Sequence, residues 1–290
     1  MSPDLSGKGR DGLPGGADVA GITDLAFRVS ISEGWVDSTA ALLKCVSTLA
    51  GPCPLLKLDQ LFAGYGNKAV LHGIDLQLGA GQSVCLIGPN GAGKSTVLNA
   101  IYGFAVIRGG RVIVDGRDAT RIGQSAKLKE LGIAYLLQGN SVFADMTVEQ
   151  NLQLGGYLIG RSAPARAAAD RIFDLYPRLA ARRKQSARML SGGERRLLEI
   201  ARALVMSPRI LLVDEPSIGL EPRYTRMIFE LLRQLQREQG MSIVMVEQNV
   251  RQGLQFADIG YAMAAGKVVA AAPAAELLRS PAIERLFVPR

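Results

Sequence analysis

The sequence predicts an α/β fold built on a mainly parallel sheet, and three observations predict it. From about residue 55 onward, short strand-like segments alternate with helical patterns. An apolar run at 83–87 passes straight into a glycine-rich loop and then a helical pattern from about residue 94. A second apolar run at 210–213 ends on two adjacent carboxylates, Asp214 and Glu215. Strands that alternate with helices leave helices on both faces of a parallel sheet.

In chain order, 55–62 and 70–78 alternate apolar and polar positions as half-buried strands do, with Gly64-Tyr65-Gly66-Asn67 turning between them. Residues 111–115 and 132–137 are further strands. The stretch 147–190 is mostly helical, punctuated by Gly155-Gly156, Pro164 and Pro177. A helix at 193–206, the strand at 210–213, a helix at 223–239 and a strand at 242–246 follow. The chain then reads as strand, Gly266 turn and strand over 259–272. No internal repeat is visible, so residues 55–290 read as one domain, with a helical lobe at about 140–195. Residues 1–54 differ in character. The first sixteen hold five glycines and two prolines and read as disordered. Residues 38–49 suit a short helix ended by Gly51-Pro52-Cys53-Pro54, and no function attaches to this extension.

A chain of 290 residues with 48% hydrophobic and 21% charged residues can bury a large core. Its three cysteines, Cys45, Cys53 and Cys85, lack metal-ligand spacing and point to a reducing compartment. No secretory signal is expected, and no apolar run of about 18 residues could span a bilayer. Any pore must therefore come from partners. The net charge of +8 invites a nucleic-acid reading. Much of that charge, however, lies between Arg161 and Arg202 at helical spacing without interleaved aromatics, as on a solvated helical face. Attraction to anionic lipid headgroups is the intermediate reading.

Three motifs carry chemistry. Gly88-Pro89-Asn90-Gly91-Ala92-Gly93-Lys94-Ser95 has the spacing of a phosphate-binding loop. Glycines let successive backbone N–H groups turn toward phosphate oxygens, and the following helix adds its positive end. Lys94 brings a full charge to the β- and γ-phosphates, Ser95 a hydroxyl to Mg²⁺, and Thr96 extends the cradle. Asp214, at the end of a buried strand, suits Mg²⁺ directly or through water, and Glu215 is placed to polarise the attacking water. An acidic pair after a strand is otherwise a plain helix cap. Third, Leu190-Ser191-Gly192-Gly193-Glu194 opens a helix as an N-cap or a second phosphate-type N-terminus.

In this order the three motifs resemble the nucleotide-binding domain of ABC ATPases over about residues 55–290. The resemblance implies a P-loop NTPase with an antiparallel β lobe and a helical lobe. It implies hydrolysis of ATP to ADP and phosphate with Mg²⁺ held by Ser95, Gln138 and Asp214. It also implies a head-to-tail pair of such domains, the same chain or a related one, in which Ser191, Gly192 and Gly193 contact the partner subunit's ATP. Tyr65 matches the family's adenine-stacking aromatic, and Gln138 the glutamine that senses the membrane partner. Residues 142–154 would receive a permease helix, with a solute-binding protein as an indirect companion. The implied location is peripheral, at the cytoplasmic face of the membrane.

Within the family the chain is similar to the branched-chain amino-acid importer ATPases, on Gly64-Tyr65-Gly66, Met146-Thr147-Val148-Glu149-Gln150-Asn151-Leu152, Tyr176-Pro177-Arg178-Leu179, Ser217-Ile218-Gly219-Leu220-Glu221-Pro222 and Val246-Glu247-Gln248-Asn249. Most of the family carries a histidine where this chain has Gln248. A glutamine amide donates a hydrogen bond but cannot carry a proton's charge. Gln248 is therefore expected to contact the γ-phosphate by hydrogen bonding alone, while the only histidine, His72, is expected to be structural. Leu137-Gln138-Gly139-Asn140 stands where the subgroup has Pro-Glu-Gly-Arg, and Glu221 where it has a small residue. Branched-chain amino acids, amides and urea are all compatible cargoes. A nucleic-acid- or ribosome-acting ATPase is the alternative; such proteins usually carry two engines or coiled-coil inserts, and this chain has neither.

Overall fold

The computed structural model describes residues 29–31, 34–36, 47–139, 141–160 and 162–280. The expected disorder of residues 1–16 and most of the expected helix at 38–49 lie outside the described residues; 47–50 are helical. Strands β1 (Val29–Ile31) and β2 (Gly34–Val36) pair antiparallel.

Two larger sheets organise the domain. The first is antiparallel, in the order β4-β3-β6-β7. It comprises β3 (Leu56–Tyr65), β4 (Lys68–Leu78), β6 (Val106–Val114) and β7 (Arg117–Asp118). The second has six strands in the order β12-β11-β5-β10-β9-β8. It comprises β5 (Ser83–Ile87), β8 (Ile133–Leu136), β9 (Ile210–Asp214), β10 (Ser242–Val246), β11 (Ile259–Ala264) and β12 (Lys267–Pro273). Four of its five pairings are parallel, and only β12 joins β11 antiparallel at the edge. Strands β5, β9, β10 and β11 are buried at every position. Continuous apolar runs of this kind belong to strands covered on both faces.

The helices provide that cover. Helix α1 (Lys94–Tyr102) lies between the two sheets, where Val97, Leu98 and Ile101 join the core formed by Leu58, Leu61, Leu76, Leu86 and Val244. On the other face stand α3 (Val148–Gly155), α4 (Ser162–Leu175), α6 (Gly192–Leu204) and α7 (Pro222–Gln239), meeting Leu211, Val213, Ile243 and Met245. Helix α2 (Gln124–Leu131) precedes β8, and α5 (Pro177–Ala180) follows α4. Helices α8 (Val250–Phe256) and α9 (Ala274–Arg279) close the far side against Cys85 and Ile87.

The expected α/β fold with an antiparallel lobe and a helical lobe is what the chain forms. Strands 83–87 and 242–246 have the expected bounds. Several elements depart from expectation. The first hairpin is longer, because β3 runs to Tyr65 and β4 starts at Lys68, so only Gly66 and Asn67 turn. Strand β6 starts at Val106, not 111, because it continues along β3 through register shifts near Phe62. Helix α6 runs over 192–204 in place of 193–206, with Ser191 as its cap. Helices α2, α8 and α9 were not anticipated.

Candidate nucleotide site

Parallel pairing places the chemistry on one edge. Val246 lies level with both Leu86 and Asp214, and Leu136 lies level with Val213. The residues that follow these strands therefore emerge side by side at the carboxyl ends, where ligands of such sheets bind. They are the Gly88 loop after β5, Asp214 and Glu215 at the end of β9, Gln248 after β10 and Gln138 after β8.

The Gly88 loop is closed upon itself. Lys94 is 6% exposed, and its Nζ donates to the carbonyls of Gly88 at 2.8 Å and Pro89 at 3.0 Å. Gly88 is required by contact: a Cβ there would stand 2.3 Å from the Met263 carbonyl oxygen on the neighbouring strand β11. Burial pulls the Lys94 ammonium below its usual pKa, and the Glu215 and Asp214 carboxylates push it back up. The lysine is thus a cation set among two buried acids.

Asp214 is 4% exposed and accepts from the Ser95 hydroxyl at 3.0 Å through Oδ1. Burial raises its pKa, which the Ser95 bond opposes. Its Oδ2 faces the Tyr135 hydroxyl at 3.3 Å, and that hydroxyl also reaches Asn99 Oδ1 at 3.1 Å. Asn99 Nδ2 in turn donates to the Tyr65 hydroxyl at 2.7 Å, so Tyr65 is linked to Asp214 through two side chains. Tyr65 is 43% exposed.

Glu215 is 6% exposed and sits at φ 46°, a left-handed conformation that a non-glycine residue adopts at a cost. Its backbone N–H donates to the Val246 carbonyl at 2.9 Å. Its carboxylate is held between two amides: Gln138 Nε2 donates to Oε2 at 2.6 Å, and Gln248 Nε2 donates to Oε1 at 2.9 Å. Of the residues expected to gather at the site, Gly88 to Thr96, Gln138, Asp214, Glu215 and Gln248 share this edge. Gln138 turns its amide nitrogen to Glu215, while Ser95 and Asp214 face each other. Hard oxygen donors of this type suit Mg²⁺.

Ser191, Gly192 and Gly193 stand apart. The Ser191 hydroxyl accepts from Glu194 N at 3.3 Å while Ser191 N donates to Glu194 Oε2 at 2.9 Å, a reciprocal cap on α6. Among the described residues no hydrogen bond joins these three to the Gly88 loop. His72 is exposed on β4, and its N–H donates to the Gly266 carbonyl. It lies on the antiparallel sheet, opposite Phe62 of β3.

Sequence reasoning missed Asn99, Tyr135 and the buried pair Arg196–Glu199. Arg196 and Glu199 meet at 2.7 Å with 7% and 2% exposure. Arg196 donates to the carbonyls of Leu137 and Asp214, and Glu199 accepts from Ser141 N at 2.7 Å. Both sides of Gln138 are thereby fastened to α6. Charged residues at positions 196 and 199 of an amphipathic helix were the available signal, but their partners lie tens of residues away.

Part of the basic stretch is ion-paired. Arg182 pairs with Glu194, Arg183 with Glu149 and Asp170, and Arg188 with Asp145.

Comparison with known proteins places this geometry. Residues 71–218 match the ABC transporter family. A probable branched-chain amino acid transport ATP-binding protein, LivF, of Archaeoglobus fulgidus is 36% identical over 80% of this chain and 98% of its own length. The high-affinity branched-chain amino acid transport ATP-binding protein BraG of Pseudomonas aeruginosa is also 36% identical, over 81% and 99%. A lipopolysaccharide export ATP-binding protein, LptB, of Acidithiobacillus ferridurans is 33% identical over 81% and 96%. Among solved structures, the ADP conformation of an ATP-binding cassette of an ABC transporter superposes with a TM-score of 0.73 at 27% identity, over 82% of this chain and 99% of that one. On the family match, these relatives and this structural neighbour, the chain belongs to the ABC transporter family as an ATP-binding, ATP-hydrolysing subunit.

Proposed function

We propose that this subunit drives uptake of a branched-chain amino acid or a related small polar solute, an amide or urea. The observation that carries the catalytic part is the Glu215 carboxylate held between the Gln138 and Gln248 amides, on the edge that bears Lys94. In this reading the Gly88–Thr96 cradle and Lys94 bind the triphosphate and Tyr65 stacks on adenine. Ser95 and Asp214, with Gln138, would hold Mg²⁺, which neutralises charge on the β- and γ-phosphates when bound. Glu215 accepts the proton of the attacking water, and Gln248 orients Glu215 and donates to the γ-phosphate. Gln138 is the natural reporter of the membrane partner, because its loop is fastened to α6 on both sides.

The Ser191–Gly193 segment, unlinked to its own phosphate loop, is proposed to reach the ATP of a second ATPase subunit. A dimer bound to ADP and phosphate is known for a cassette with a TM-score of 0.66 and 25% identity. Exposed Phe143, Met146 and Met189, on the segments between Gln138 and α6, suit a permease helix. Among the described residues no helix is long and apolar enough to cross a membrane, in keeping with a peripheral subunit. Branched-chain amino acids are favoured as cargo because LivF and BraG carry that name at 36% identity, against 33% for the lipopolysaccharide exporter.

The test is affinity purification from the native cell followed by solute uptake. Recovery of permease and solute-binding proteins, and loss of branched-chain amino-acid uptake in a Lys94→Ala strain, are expected. Retention on RNA at moderate salt without permease partners would turn the assignment to the nucleic-acid class.

A further inference from the structure

Glu247 follows β10 directly and is 2% exposed. One of its oxygens, Oε1, collects three donors: the Ser217 hydroxyl at 2.9 Å, Gln248 N at 3.0 Å and Asn249 N at 3.1 Å. The other, Oε2, is buried without a hydrogen-bond partner, and among the described residues no ion pair reaches the carboxylate. Burial raises its pKa, and the bonds from Asn249, Ser217 and Gln248 draw it back. An acid buried without a counter-charge costs stability. A site that keeps one, with all its donors on one oxygen, uses that oxygen as an anchor.

The two segments so anchored flank the proposed base. Ser217 lies two residues after Glu215, and Gln248 is the amide that donates to Glu215 Oε1. The Glu215 N–H is already bound to the carbonyl of Val246, the residue before Glu247. Asn249 accepts from Gln252 N and so starts α8. Glu215 is therefore tied to the β10 edge on both sides, through Val246 before it and through Ser217 and Glu247 after it.

We infer that Glu247 is a positioning residue that locks the segment after Glu215 to the loop bearing Gln248, so that base and amide keep one relative geometry through turnover. The inference rests on the reading that Glu215 is the base and Gln248 its partner. Its working part is the acceptor oxygen of Glu247, which a glutamine retains.

Steady-state ATP hydrolysis by the full chain tests this. Glu247→Ala is expected to lower kcat about tenfold with KM for ATP changed less than about twofold, and Glu247→Gln to restore kcat to within about threefold of the parent. Gln248→Ala placed on Glu247→Ala should add less than about twofold, because the amide is already misplaced. Ser217→Ala, which removes one bond without emptying the buried position, should lower kcat a few-fold and add nothing to Glu247→Ala. Equal losses in Glu247→Gln and Glu247→Ala, or multiplicative losses with Gln248→Ala, would overturn the inference. A Glu215→Gln variant with parental turnover would instead overturn the underlying reading, whatever Glu247 does.

Discussion

At the scale of single residues, the site is a balance of few charges in a dry place. Lys94 faces two acids with burial opposing its charge, so its ammonium is held for a polyanion rather than for the bulk solvent. Lys94→Ala should weaken MgATP binding by roughly 10- to 150-fold, the range for losing a hydrogen bond to a charged group. Calorimetry with the folded variant checks it, and parental heat would remove the lysine from the phosphate site. Gln248→Ala should slow hydrolysis about tenfold in the assembled complex, since Glu215 then loses one of its two amide donors. An unaltered rate would leave Gln248 outside the reaction. Lys127 shows the same balance away from the site. Its ammonium is fully buried with the Ile101 carbonyl at 2.7 Å, and burial lowers its pKa to about 8. A lysine whose folded pKa lies below its unfolded value of 10.5 costs stability below pH 8 and relieves that cost as pH rises toward 10.5. Denaturant midpoints should therefore rise across that interval in the parent and stay flat in Lys127→Met.

At the scale of elements, strand ends and helix starts decide what is possible. Gly193 shows how tight a helix start can be: a Cβ there would stand 2.0 Å from Tyr224 Cδ1. Gly193→Ala must displace the Tyr224 ring on α7, and it is expected to lower ATP hydrolysis more than tenfold while leaving MgATP binding to the Gly88 loop intact. A binding isotherm beside a turnover assay separates the two. The same elements show what a sequence can disclose. Strands β5 and β10 were legible to the residue because an unbroken apolar run follows Ser83 and Ser242, and glycine or charge ends it. The phosphate loop, Asp214 and Glu215 were legible because their spacing serves a local chemistry, whereas Gln138 was legible only through the family resemblance. Helices α2, α8 and α9 were not. They are eight, seven and six residues long, too short for a helical period to stand out. Asn99, Tyr135 and Glu247 were invisible for another reason: their partners are fixed by strand order, and no local pattern marks a hydrogen bond between residues 36 or 79 positions apart.

At the scale of the whole molecule, the Arg196–Glu199 pair joins three motifs into one body. It binds the carbonyls on the strand ends before Gln138 and at Asp214, and the N–H of Ser141 beyond. In the proposed function, a membrane partner that moves the Gln138 loop is expected to move α6 and the Ser191–Gly193 segment with it. Removing one member of a buried pair strands the other charge, so Glu199→Ala should cost about 3–5 kcal/mol of stability, read from denaturant unfolding. The measurement closest to the centre of this account is a single-turnover experiment on Glu215→Gln with Mg²⁺ and labelled ATP. Tight retention of unhydrolysed ATP with phosphate release slowed at least about a hundredfold is the predicted result. Phosphate release at the parental rate would show that the carboxylate between the two glutamine amides is not the base.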